Sequence, residues 1–205
     1  DDLANSYLES KYKRKHSWNR ARGIRLTKEK KIQNKIEANL PLLEAYWQES
    51  LLLGRFPQQS EFSKSEEIQH LFPSTRQLNS NLLSYFGEEQ FLKAEREVKE
   101  DLVLIQAMSV FTGKRIYNRL NDETQSEIRY FFNNFKSLQA SGKELLESLS
   151  STELIEASAE SFFEECQTGF LESGHSLTIH KRSFDRLPVA LRAYIGCALQ
   201  LYSEL

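Results

Sequence analysis

The sequence predicts an all-α fold, an irregular bundle of seven or eight helices with a basic N-terminal arm. Three observations lead there. Only eight glycines and four prolines punctuate the 205 residues. Apolar residues recur at three- and four-residue steps along most of the chain, and no long alternating pattern of the kind a half-buried strand shows interrupts them. Hydrophobic residues make up 40% of the chain, enough to bury a substantial core as one large domain or two small ones.

The elements follow in order. A helix is predicted from about Thr27 toward Gly54, with Ile32, Ile36, Leu40, Leu43, Tyr46, Trp47 and Leu51 on its buried side and Gly54 as its stop. Pro41 marks a point at which it kinks or divides. After Arg55-Phe56-Pro57, Ser60 caps a short acidic helix reaching Phe72, and Ser74 caps another that runs to Phe86 and ends at Gly87. Phe91, Ala94, Val98, Leu102, Ile105, Met108 and Val110 lay out a long central helix from Glu88 to Gly113. Asn121 caps a segment carrying Ile128, Phe131, Phe132, Phe135 and Leu138, and Ser151 or Thr152 caps one carrying Leu154, Ile155, Ala159, Phe162 and Phe163. Ser176–His180 is the one extended piece, too short and solitary to make a sheet alone. From Pro188 a last helix begins, and Leu187, Leu191, Tyr194, Ile195, Ala198, Leu199 and Tyr202 are assigned to its core side.

The net charge of −2 hides an asymmetry. Residues 1–35 hold eleven Lys or Arg against four Asp or Glu, and the remainder holds sixteen against twenty-five. Lys11, Lys13, Arg14, Lys15, Arg20, Arg22 and Arg25, followed by Lys28, Lys30, Lys31 and Lys35, are interleaved with Tyr12, His16 and Trp18. That mixture suits phosphate contact with occasional base stacking. It equally suits a solvated interdomain linker, or a segment that pairs with the acidic remainder. The chain is therefore divided into a basic arm or linker, 1–35, and a helical domain, 36–205.

Several function classes lose support. No apolar run approaches the roughly 18 residues of a membrane helix and the N-terminus is charged, so a cytoplasmic protein without membrane contact is expected. The first residue is Asp rather than Met, which reads as a piece of a longer chain. Cys166 and Cys197 stand apart and suit reduced, mostly buried thiols. No glycine-rich dinucleotide turn, phosphate-binding loop or serine elbow is present, so no catalytic residue and no cofactor is assigned to these residues. Cys166, His175, His180 and Cys197 are zinc-type ligands but match no familiar spacing, and no metal is assigned. Glu95, Glu97, Glu100 and Asp101 lie on or near the long helix, and Glu97 with Glu100 or Asp101 shares a face, either solvated or available for acid/base or magnesium chemistry.

The most specific stretch is C-terminal. His180, Lys181, Arg182, Arg186 and Arg192 cluster around a helix start, an arrangement that either holds an anion such as phosphate or is a capped helix with solvated charges. His180 and Lys181, Phe184, Leu187-Pro188, Leu191-Arg192, Tyr194 and Gly196-Cys197-Ala198 together resemble a motif of the methyltransferase family associated with bacterial DNA phosphorothioation. Leu53-Gly54-Arg55-Phe56-Pro57, Glu61-Phe62, Glu100-Asp101-Leu102, Glu127–Phe132 and Phe135-Lys136 are similar in the same order. The resemblance covers roughly residues 40–200 and implies a helical region lying outside the methyltransferase domain, so S-adenosylmethionine belongs only to a domain these residues lack. Lys181 stands where the family pattern has Arg, keeping the charge without the bidentate fork. The resemblance implies a DNA-associated accessory domain in bacterial DNA modification or defence, with DNA and phosphorothioation-system proteins as partners. A protein-interaction module without DNA contact, and an enzyme using His180 as acid/base or nucleophile, are the competing readings.

Overall fold

The computed structural model describes residues 28–113, 117–167, 169–172 and 176–203. The described residues are all-α apart from one two-stranded hairpin, and the chain divides into two compact units. The first holds the described residues up to Ser50 together with Phe56–Glu88, and the second holds Leu51–Arg55 and Glu89 onward. Among the described residues no helix is long and apolar enough to cross a membrane.

In the first unit, α1 (Lys28–Ala38) and α2 (Leu40–Leu53) replace the single long helix, and α2 continues by its last turn into the second unit. The break falls at Asn39, whose Nδ2 donates to the Lys35 carbonyl at 2.9 Å. Pro41 explains it: in an unbroken helix its ring would press on the Glu37 carbonyl, whereas in the first turn of α2 the missing N–H costs nothing. The short α3 (Ser65–Leu71) begins five residues later than the expected Ser60 cap, with no side-chain cap at Lys64. Helix α4 (Thr75–Phe86) is capped by Ser74, as its sequence predicts, and Gly87 at φ 112° ends it. Leu43, Trp47, Leu78 and Leu82 are almost fully enclosed, with Trp47 stacked on Phe86 at 5.2 Å and Tyr46 set edge-on to Phe62 at 5.2 Å. The enclosed Tyr46 phenol is pushed up to about 12 by desolvation.

The second unit is built on α5 (Glu88–Thr112). Gly54 ends α2 at φ 60°, and a Cβ there would lie 2.9 Å from Val98 Cβ and 3.0 Å from the Ala94 carbonyl oxygen, so glycine meets both the left-handed turn and the close approach to α5. The next residue, Arg55, is only 1% exposed. Two further glycines bring helices onto α5: Gly142 of α7 (Phe135–Ser148) against Ala107, and Gly196 of α9 (Val189–Ser203) against Met108. The buried stripe of α5 passes through Leu102, Gln106 and Ser109, and the expected core positions Ile105 and Val110 are exposed, at 49% and 69%. Gln106 and Ser109 are buried beside each other, Gln106 Nε2 donating to Ser109 Oγ at 3.1 Å and Ser109 Oγ to the Gln106 carbonyl at 2.6 Å, while Gln106 Oε1 has no hydrogen-bond partner.

After a 3₁₀ turn at Tyr117–Arg119 comes α6 (Asp122–Phe132), capped by Asn121 at 3.0 Å, and then α7, capped by Asn134 at 2.9 Å. The aromatic segment expected as one helix is two, because Asn133 takes φ 62° and ψ −35° in a tight turn across which the Asn134 N–H donates to the Phe132 carbonyl at 2.7 Å. Leu102, Ile128, Phe132 and Leu138 form the core between these helices and α5. Helix α8 (Thr152–Cys166), capped by Ser151, leads to β1 (Phe170–Glu172) and β2 (Ser176–Thr178). These pair antiparallel, Leu171 opposite Leu177, so the extended piece has a partner strand that sequence reasoning left out. A 3₁₀ turn, Lys181–Arg186, joins the hairpin to α9.

Candidate functional site

The C-terminal part of the second unit, from α8 to α9, carries the candidate site. Its interior is apolar: Ala159 and Phe162 of α8 pack with Leu187 and Leu191, and Leu171, Leu177, Ile179, Phe184 and Ile195 close around them. Alternation in the hairpin places Leu171 and Leu177 on one face and leaves their strand neighbours exposed. Phe184 and Leu187 thereby tie the 3₁₀ turn to α8, and its polar residues point outward.

His180 caps this turn, its Nδ1 accepting from the Arg182 N–H at 3.1 Å. The imidazole is thus a capping acceptor, and it is exposed. Lys181, Arg182 and Arg186 are exposed as well. Arg186 Nη2 lies 3.3 Å from Cys166 Sγ, and none of the four is ion-paired to a carboxylate among the described residues. The basic block therefore stands on a separate turn before α9, while Leu187-Pro188 leads into the helix itself.

Arg192, one turn into α9, has a different surrounding. Its side chain is 12% exposed and its Nη1 donates to Asp101 Oδ1 of α5 at 2.5 Å. Its Nε is enclosed without a hydrogen-bond partner. Nearby, burial raises the Glu100 carboxyl above its ordinary value, Arg192 and Arg96 oppose that, and Asp101 and Glu97 add to it. Arg192 is a structural cation between α9 and α5, whereas the 3₁₀ turn displays its cations. Lys11, Lys13, Arg14, Lys15, Arg20, Arg22 and Arg25 lie outside the described residues.

The remaining sequence candidates stand apart. Cys166 and Cys197 are half-buried free thiols, and burial pushes Cys197 up. Among the described residues no group of three or more His, Cys, Asp or Glu is placed to hold a metal ion. Glu95 faces Tyr130 and adds to the burial that raises that phenol, and Arg55 opposes the rise.

A feature that sequence reasoning missed lies beside the basic turn. Between α8, the hairpin and α9 is an open cleft of about 380 Å³, floored by Ile155, Ala159, Leu191 and Ile195, walled by Leu177 and Ile179, and edged by Tyr194. Glu156, Glu160 and Glu172 line its rim. The signal available in the sequence was Glu156 and Glu160 at a four-residue spacing beside the apolar Ile155 and Ala159. In comparison with known proteins, no family model, no curated protein and no solved structure matches this chain.

Proposed function

We propose that this chain is a DNA-associated helical module, acting in the bacterial DNA phosphorothioation setting that its C-terminal motif resembles, and that the 180–186 turn contacts the phosphate backbone. One observation carries the reading: Lys181, Arg182 and Arg186 are exposed on a single short turn that His180 caps, and none of the three is ion-paired to a carboxylate among the described residues. Cations displayed in this way neutralise phosphates and release counterions without reading sequence. Phe184 and Leu187 hold the turn on the α8 core, so the charges are positioned before DNA arrives. The basic residues Lys11 to Arg25 extend the same chemistry along the sequence. No catalytic role is included: the His180 ring serves as the cap of this turn, its Nδ1 accepting from the Arg182 N–H.

The test is binding of the full chain to duplex DNA, with and without phosphorothioate links, across a salt series. Lys181→Glu with Arg182→Glu should weaken binding and reduce the salt slope by about 2, one for each phosphate that is no longer neutralised. Unchanged affinity and slope in that double variant would remove the turn from the interface. Binding too weak to measure in the wild type under low salt would leave a protein-interaction module as the better account.

A further inference from the structure

The cleft beside the basic turn has the opposite electrostatic character. Glu156, Glu160 and Glu172 are all exposed on its rim, and none forms an ion pair among the described residues. Glu156 and Glu160 stand four apart on α8, where like charges oppose each other and weaken the helix. Among the described residues no cation pairs with either, and the floor between these carboxylates is aliphatic. On α9 the apolar surface continues past Tyr194 through Ala198, Leu201 and Tyr202, which recur at helical spacing and are exposed, Tyr202 at 81%. A negative rim around an apolar floor repels nucleic acid and favours a cation with an apolar body.

We propose that this cleft is a docking site for a basic, apolar-anchored peptide segment of a partner protein. One aliphatic or aromatic side chain of the segment fills the floor over Ala159 and Leu191, Lys or Arg residues flanking it meet Glu156, Glu160 and Glu172, and the remainder lies along the Tyr194–Tyr202 face. Charge complementarity selects the occupant: an acidic or neutral segment would bury the same floor but leave three carboxylates uncompensated. The site is independent of the DNA reading, because it uses none of the residues of the basic turn.

A random dodecapeptide library displayed on phage and selected against the full chain tests this. The recovered sequences should carry a large apolar residue flanked by Lys or Arg. A synthetic copy of the best binder should lose about tenfold or more in affinity against Glu156→Lys/Glu160→Lys, with a smaller loss against Glu156→Gln/Glu160→Gln. Both pairs change exposed positions, and the Gln pair removes the like-charge repulsion, so a folded variant remains available. Lys181→Glu/Arg182→Glu should leave this peptide's affinity unreduced. No sequence enriched above background, enrichment without basic residues, or equal affinity for wild type and the Lys pair would each overturn the proposal.

Discussion

Two glycines pressed against the same helix give a sharp test of how the second unit is packed. Gly142 of α7 and Gly196 of α9 are both helical, so alanine at either should gain about 1 kcal/mol of helix propensity. They differ in what the added methyl would meet. At Gly142 it would lie 3.1 Å from the Ala107 backbone nitrogen and 3.2 Å from Gln106 Cγ, in a contact where Ala107 is 1% exposed. Backbone of one helix yields only if α7 moves away from α5, and overpacking of this kind costs roughly 1–3 kcal/mol. At Gly196 the methyl would meet Met108 Cε at 2.9 Å and Sδ at 3.2 Å, the far end of an unbranched side chain that can swing aside. Gly142→Ala should therefore lose about 0–2 kcal/mol, Gly196→Ala should range from neutral to about 1 kcal/mol more stable, and the two should differ by about 1–2 kcal/mol. Urea unfolding followed by far-ultraviolet circular dichroism measures this, provided the m-values of both variants match the wild type. Gly196→Ala destabilised as much as Gly142→Ala, or more, would refute the distinction between backbone and side-chain neighbours and with it the placement of α9 on α5.

Glu100 offers a pH test. Its carboxyl is raised in the fold, so the folded chain holds the proton more tightly than the unfolded one, and stability is lost as pH rises from the ordinary carboxylate value through the folded one. Glu100→Gln, neutral throughout, should melt higher than wild type at pH 7, and the difference should vanish below the ordinary carboxylate range. A variant that melts lower at neutral pH would show that Arg192 outweighs burial there. For Arg192 itself, Met retains the aliphatic packing, removes an enclosed Nε without a partner and leaves Asp101, 54% exposed, in water. Since a hydrogen bond to a charged group contributes about 1.5–3 kcal/mol and the Met side chain recovers part of that by packing, Arg192→Met should lose no more than about 3 kcal/mol in urea and bind DNA equally well. A fall in DNA affinity would put Arg192 in the interface.

The helices were legible where a local device announces them. Ser74, Asn121 and Ser151 cap the helices their positions predict, and Gly87 and Gly113 end theirs with positive φ. The errors have two physical sources. The first is a residue whose backbone choice depends on tertiary context: Asn133 takes positive φ in a tight turn and cuts the aromatic segment, although nothing in an isolated stretch compels it to leave the helix. The second is counting apolar residues instead of following the face. On α5 the buried positions beyond Leu102 are Gln106, Ala107 and Ser109, two of them polar and bonded to each other, while the larger apolar residues Ile105 and Val110 face outward. On α9 likewise Tyr194, Ala198, Leu199 and Tyr202 have core spacing but are exposed, whereas the buried positions are Ala190, Leu191 and Ala193. The cleft was out of reach for a different reason. Its walls come from α8, β1, β2 and α9, and β1 was not expected at all.

The C-terminal signature divides into two kinds of residue, and the division decides what a functional test can mean. Leu187 and Leu191 fill the α8 core, Arg192 is committed to Asp101, and Gly196 admits α9 to Met108. Packing alone is a sufficient reason for those residues to occur together at that spacing, so their presence carries no information about DNA. His180, Lys181, Arg182 and Arg186 are another matter, because Phe184 and Leu187 already fix the turn and no carboxylate among the described residues pairs with the four. Removing a core residue would weaken binding of any partner by destabilising the support, and so would not tell the hypotheses apart. Removing the displayed charges separates the hypotheses, since surface substitutions away from caps and cores leave stability nearly unchanged. The decisive comparison is thus Lys181→Glu/Arg182→Glu against Arg192→Met. Loss of DNA affinity in the first with retention in the second would mark the turn as the contact, and loss in neither would leave the motif as architecture.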